Sequence, residues 1–133
     1  MKRAKKKRSI KSLADATWKL FSEGIRYGEA AGGIGQCVSC SKHLHWKEGH
    51  AGHFIHAGRG GKRNRVSYDE RNVHLQCVGC NTYDQSKASK INYTLYMIKR
   101  YGEGVVDELK QIKHQGFLSR DELEEIYERL KRA

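Results

Sequence analysis

The chain has 133 residues, with 26 Lys and Arg against 15 Asp and Glu and a formal charge of +11. This length suits one domain, or one domain with helical extensions, and a modest core. No apolar stretch is long enough to cross a bilayer, and no basic amphipathic helix presents an exposed aromatic face, so no membrane partner is expected and the charge points to nucleic acid over an acidic membrane surface.

Residues 1–8 (Met-Lys-Arg-Ala-Lys-Lys-Lys-Arg) read as a disordered basic arm, ahead of a single domain over 9–133 whose core spans about 36–92. No apolar run follows the arm, so no signal peptide is expected and a reducing cytoplasm is the expected compartment. From Ser9 to Ala31, Leu13, Ala14, Trp18, Phe21 and Ile25 recur at helical spacing, and Gly32, Gly33 and Gly35 end that helix. Residues 36–60 begin with a cysteine knuckle and continue as a hairpin or irregular strand pair around Lys47-Glu48-Gly49. Residues 58–65 form a glycine-basic loop, either a plain surface loop or one whose Arg59, Lys62, Arg63 and Arg65 track a phosphate backbone. Residues 72–76 alternate as a short strand, with Asn72, His74 and Gln76 on one face and Val73 and Leu75 on the other. A helix is expected to open near Asn81, followed by helices over Asn92–Tyr101, Val105–Lys113 and Ser119–Lys131. The last starts with a capping box at Ser119 and Glu122. The tyrosines and leucines of these helices are expected in the core or an interface.

All four cysteines fall in two brackets, Cys37-Val38-Ser39-Cys40 and Cys77-Val78-Gly79-Cys80. Two such knuckles can close one tetrahedral four-thiolate zinc site; two disulfides are the alternative, disfavoured by a reducing compartment. Zinc would contribute roughly 10–16 kcal/mol to folding. It would also draw together the polar residues on the loop it closes: His43, His45, His50, His53, His56, Asn72 and His74, with Asn81 directly after the second knuckle. A phosphodiester nuclease needs a base, a divalent cation and cationic side chains, and imidazole suits the base because it titrates near neutrality. His43 and His45 read as surface hairpin residues, His56 as a phosphate contact or a polar loop residue, and His114 as unrelated.

The order Cys37-x-x-Cys40, Gly52-His53-Phe54, Asn72, Cys77-x-x-Cys80-Asn81 and Lys87 is similar to that of the HNH, or ββα-metal, endonucleases. Cys-Val-Ser-Cys, then Ala51-Gly52-His53-Phe54, then the run from Asp69 through Arg71-Asn72-Val73-His74-Leu75-Gln76 to Asn81, resembles the phage lambda NinG recombination nucleases. The similarity runs from the Trp18 helix to the last helix, and the phage recombination nuclease Ref is similar more distantly.

This resemblance implies an α+β fold: an HNH-like ββα-metal core with a four-cysteine zinc site, flanked by an N-terminal helix and C-terminal helices. It implies a metal-dependent DNA endonuclease of phage recombination, selective for branched DNA such as Holliday junctions and acting in the host-cell cytoplasm. A homodimer follows, since a symmetric junction takes two matched cuts, with recombination proteins as further partners. His53 would be the base and Asn72 would orient it. His74, on the same strand face as Asn72, would be a ligand or phosphate contact. Asn81 and His50 would hold the catalytic metal, Mg²⁺ or Mn²⁺, and Lys87 would clamp phosphate, with the zinc purely structural. Two departures stand out. The Asp common before the base histidine is Gly52 here, which leaves that ligand to His50, His74, Asp84 or His53 itself, and no proline follows the histidine. The alternatives are a nicking enzyme without branch selectivity and a non-catalytic zinc module that binds nucleic acid.

Overall fold

The computed structural model describes residues 7–83 and 87–133, apart from the side chains of Tyr83 and Lys87. Six residues of the expected basic arm, Asp84 and the Lys87 side chain therefore lie outside the described residues.

The first helix, α1 (Ile10–Glu29), starts where a serine can cap it: the Ser9 hydroxyl accepts from the Ser12 amide at 3.1 Å. Its apolar stripe buries Leu13, Ala14 and Phe21. The last helix, α4 (Arg120–Arg132), covers that stripe with the fully buried Leu123 and the partly buried Ile126, Tyr127 and Leu130. At the end of α1 the chain turns through Ala31 (φ 49°) and Gly32 (φ +76°), left-handed backbone that glycine adopts without strain.

Two short strands, β1 (Ile34–Gln36) and β2 (His43–His45), pair antiparallel around the first knuckle. The next strand, β3 (His50–His53), does not fold back on β2. The expected hairpin around Lys47-Glu48-Gly49 is absent, and β3 pairs instead with β6 (Val73–Gln76). The knuckles explain the choice: Val38 donates its amide to the Leu75 carbonyl at 2.9 Å, so the chain entering the first knuckle lies against the strand that leads to the second. In this register His50 faces Gln76, Gly52 faces His74 and His53 faces Val73.

Between β3 and β6 the glycine-basic segment is not loose. It folds into a two-rung hairpin, β4 (Gly58–Arg59) and β5 (Lys62–Arg63). Gly58 has φ +87°, and a Cβ there would sit 2.2 Å from the Lys62 carbonyl oxygen, so the hairpin needs glycine at that position. Asn72 closes a single 3₁₀ turn (Glu70–Asn72) instead of opening the strand. A π-helical turn (Gly79–Tyr83) starts within the second knuckle, and α2 (Lys87–Tyr101) and α3 (Val105–Lys113) come later in the chain.

The core is divided in three. One part lies between α1 and α4 and includes Tyr68 and Val73; one surrounds the cysteines with Leu44 and Leu75; one joins Val66 to α2 and α3 through Tyr93, Met97 and Leu109. All four residues of β6 are buried. Val73 enters the first part and Leu75 the second, so this strand holds the helical and cysteine-knuckle regions together. The result is the expected mixture of helix and strand, and among the described residues no helix is long and apolar enough to cross a membrane.

Candidate functional site

The four cysteine sulfurs lie within 4.8 Å of one another, with Cys40 Sγ and Cys77 Sγ 3.8 Å apart. At a Zn–S distance near 2.3 Å, tetrahedral thiolates stand about 3.8 Å apart, so the cluster has the dimensions of a four-thiolate site. Each knuckle also aims amides at sulfur. The Ser39 and Cys40 amides lie 3.4 and 3.5 Å from Cys37 Sγ, and the Cys80 amide lies 3.4 Å from Cys77 Sγ. Such bonds stabilise negative sulfur, which fits thiolates that hold a cation.

His53 ends β3, and its contacts and burial determine its state. Its ring stacks on Trp18 of α1, with centroids 4.6 Å apart and planes 23° from parallel. Its Nε2 lies 3.0 Å from the Ser67 carbonyl oxygen. A carbonyl can only accept, so Nε2 carries the proton and Nδ1 keeps its lone pair. Burial pushes the imidazole down to about 4 and the nearby Arg63 and His56 push the same way, against the opposing effect of the Ser67 bond. At neutral pH His53 is therefore an uncharged imidazole of one tautomer.

A cavity of about 550 Å³ opens beside it, lined by His50, His53, His56, Arg63 and Asn81 together with Trp18. His50 and His53 lie on opposite faces of β3, and among the described residues β6 is the one strand paired with it. Asn81, on the π-helical turn, places its Nδ2 3.0 Å from His50 Nδ1. Three residues expected at the site, His50, His53 and Asn81, thus share one cavity.

Asn72 does not line it. Fully buried, it fastens the chain that leaves His53: its Oδ1 accepts from the Ile55 amide at 2.8 Å, and its Nδ2 donates to the Ile55 and Val66 carbonyls at 2.9 and 3.1 Å. These bonds place Ile55 beside Val66, next to the Ser67 whose carbonyl holds His53.

His74 departs from the expected placement. It does not point into the His53 cavity. Buried beneath Tyr93, Tyr96 and Tyr101, it pairs with Glu29 at the end of α1, while its Nε2 lies 3.1 Å from the Arg71 carbonyl and 3.2 Å from the Tyr101 hydroxyl. These three tyrosines all belong to α2, and His74 is not among the residues that line the His53 cavity.

The basic residues divide as well. Arg59 and Lys62 are exposed on the β4–β5 hairpin. Arg63 is half-buried, lines the cavity, donates to the Gly60 carbonyl at 3.2 Å and lies 3.7 Å from Asp15. Arg65 is not a free cation: it forms a two-pronged pair with Glu122 of α4, which holds that carboxyl down at about 2.

Trp18, Ser67 and Gln76 also belong to this region and carry no expected role. Trp18 reads as an ordinary member of an apolar helix stripe, and the Ser67 contribution is a backbone carbonyl with no residue signature. Gln76 could have been found from pairing register, since it faces His50 across the strands.

The family model described as Bacteriophage Lambda NinG protein matches residues 1–133 of the chain. The chain belongs to this family. Its curated relatives include the protein ninG of Escherichia phage 933W and that of Salmonella phage P22, each 32% identical over 74 residues, or 56% of this chain and 34% of the relative. The protein ninG of Escherichia phage lambda is 31% identical over 74 residues, 56% of this chain and 33% of that protein. The matched region thus spans about a third of the length of these relatives. No solved structure matches the chain.

Proposed function

We propose that this NinG-family chain is a metal-dependent DNA endonuclease of the HNH, or ββα-metal, type, in which β3, β6 and the helix after the second knuckle form the ββα unit. The observation that carries the reading is the neutral, single-tautomer His53 beside His50 and Asn81 in one cavity. Nδ1 of such an imidazole can take a proton from an attacking water, and burial keeps it unprotonated at working pH. Trp18 and the Ser67 carbonyl hold the ring still, so little motion precedes the transfer. Asn72 acts as a positioning residue through the Ile55 and Val66 backbone.

Among the described residues, the four cysteines form the one group of three or more His, Cys, Asp or Glu side chains close enough to share an ion. A second ion at His50 and Asn81 therefore draws on carboxamide as well as imidazole donors. A divalent cation there, Mg²⁺ or Mn²⁺, would neutralise charge at the scissile phosphate. Arg63 lines the cavity, and with Arg59 and Lys62, exposed on the same hairpin, it would supply contacts to the DNA backbone.

Preference for branched DNA such as Holliday junctions, paired cutting by a homodimer and cooperation with recombination proteins come from the resemblance to recombination nucleases. The test is cleavage of a four-way junction, a duplex and a single strand at fixed salt, with Mg²⁺, Mn²⁺ or chelator. The junction is expected to be cut preferentially with metal. His53→Ala is expected to lose at least about 100-fold in rate while DNA binding and a cooperative melting transition are retained. Full activity of that variant would refute the assignment, and equal cutting of all three substrates would refute the branch preference alone.

A further inference from the structure

The proposed nuclease lacks a carboxylate where related motifs carry one, and the space at that position is not empty. A Cβ built on Gly52 would meet Gln76 Oε1 at 1.8 Å and Gln76 Cδ at 2.8 Å, with Asn81 Oδ1 at 3.0 Å. The first distance is about half of ordinary contact, so the Gln76 side chain occupies the place a side chain at 52 would fill. Two carboxamide oxygens, from Gln76 and Asn81, flank this one point. His50 completes the cluster: it is the cross-strand partner of Gln76, and its Nδ1 lies 3.0 Å from the Asn81 amide.

The orientation of Gln76 is built in. The side chain is buried, and its amide nitrogen donates to Ser39 Oγ at 2.8 Å. Ser39 belongs to the first knuckle, and its own carbonyl accepts from Asn92 Nδ2 of α2 at 2.9 Å. The amide nitrogen is thus directed to the cysteine cluster and the oxygen to Gly52 and Asn81. Amide and carboxylate oxygens are hard donors that suit Mg²⁺ and Mn²⁺ better than imidazole nitrogen does.

We infer that Gln76 supplies the oxygen ligand for the second cation, from across the strand pair, in place of the acidic residue absent at position 52. The inference rests on the endonuclease reading for the existence of that cation. It explains why the two positions hold glycine and glutamine together: a side chain at 52 and one at 76 compete for one volume. The set formed by His50, Asn81 and Gln76 is neutral, so it leaves the ion its full charge and binds it less tightly than a carboxylate would.

The test is Mn²⁺ binding to zinc-loaded protein, followed by electron paramagnetic resonance and calorimetry, with zinc content and melting temperature recorded for every variant. Gln76→Ala is expected to weaken Mn²⁺ binding at least about tenfold with zinc content unchanged. Gln76→Glu, nearly isosteric, is expected to tighten it several-fold. Gly52→Asp alone is expected to lower the melting temperature, because the new carboxylate collides with Gln76. The double variant Gly52→Asp, Gln76→Ala is expected to recover both melting temperature and Mn²⁺ affinity. Parental Mn²⁺ affinity in Gln76→Ala, no tightening in Gln76→Glu, or no recovery in the double variant would overturn the Gln76 assignment and leave the nuclease reading intact. Should the parent protein bind no Mn²⁺, the second metal site itself fails, and Gln76 with it.

Discussion

At the scale of single residues, His53 shows how burial selects a protonation state. An unfolded imidazole titrates near 6.5 and the folded one near 4. Between these values the unfolded chain binds the extra proton and the native chain does not. The stability tied to neutral His53 is therefore intact above about pH 6.5 and lost as pH falls through 4. The shift corresponds to on the order of 3 kcal/mol. Denaturant unfolding across this range should show that acid slope, and His53→Gln should flatten it. A parent and variant with identical slopes would mean the ring titrates normally in the fold. Asn72 illustrates a different use of a polar side chain. It makes three hydrogen bonds to backbone in a fully buried place. Asn72→Ala would leave those backbone groups unpaired and is expected to cost about 3 kcal/mol or more, read as a lower unfolding midpoint. Asn72→Asp keeps the acceptor for the Ile55 amide but sets a buried carboxylate oxygen against the Ile55 and Val66 carbonyls, so it is expected to cost at least as much as the alanine.

At the scale of elements, the β4–β5 hairpin turns a run of like charges into a directed surface. Arg59 and Lys62 stand exposed on it, whereas Arg65, two residues past its end, is drawn into a pair with Glu122. The consequences for DNA binding differ accordingly. Arg59→Ala and Lys62→Ala should each reduce the salt dependence of binding by about one unit of slope. Arg65→Ala should leave that slope unchanged and lower thermal stability by loosening α4. A reduced slope in Arg65→Ala would show that the Glu122 pair opens on DNA. Elements whose signals are local were legible beforehand. The capping box of α4 forms as read, with Ser119 accepting from the Glu122 amide at 3.2 Å and Glu122 accepting from the Ser119 amide at 3.1 Å. The strand pairing was not legible. β3 satisfies its backbone with β6, not with the nearer β2, and no local pattern around Lys47-Glu48-Gly49 distinguishes the two partners.

At the scale of the whole molecule, the cysteine cluster carries a disproportionate share of the fold. A structural zinc contributes roughly 10–16 kcal/mol, and small domains hold a net stability of about 5–15 kcal/mol. With a core divided in three and the buried strand β6 contributing to only two of its parts, the metal-free chain is expected to be largely unfolded. One zinc per chain should be found by elemental analysis. Chelation should cause cooperative loss of circular dichroism signal, reversed by zinc addition. A chelated chain that keeps its native spectrum and melting temperature would show that the thiols only pack. The same cluster positions the candidate site, since Asn81 follows Cys80 directly and Gln76 is tied to Ser39 between the two cysteines of the first knuckle.

What the sequence determined by itself is whatever depends on spacing along the chain: the paired knuckles, the helical stripes and caps, the net charge, and a histidine and asparagines placed between and just after the cysteines. What only the tertiary structure decided is which groups share a volume. His74 alternates in register with Gln76, yet α2 and Glu29, 45 residues away in sequence, bury it apart from the cavity. Arg65 and Glu122 find each other across 57 residues. Gln76 enters the space of Gly52 only because β6 pairs with β3 in one register. Spacing is written in covalent geometry, whereas shared volume depends on packing between segments distant in the chain, and excluded volume allows one side chain to a place.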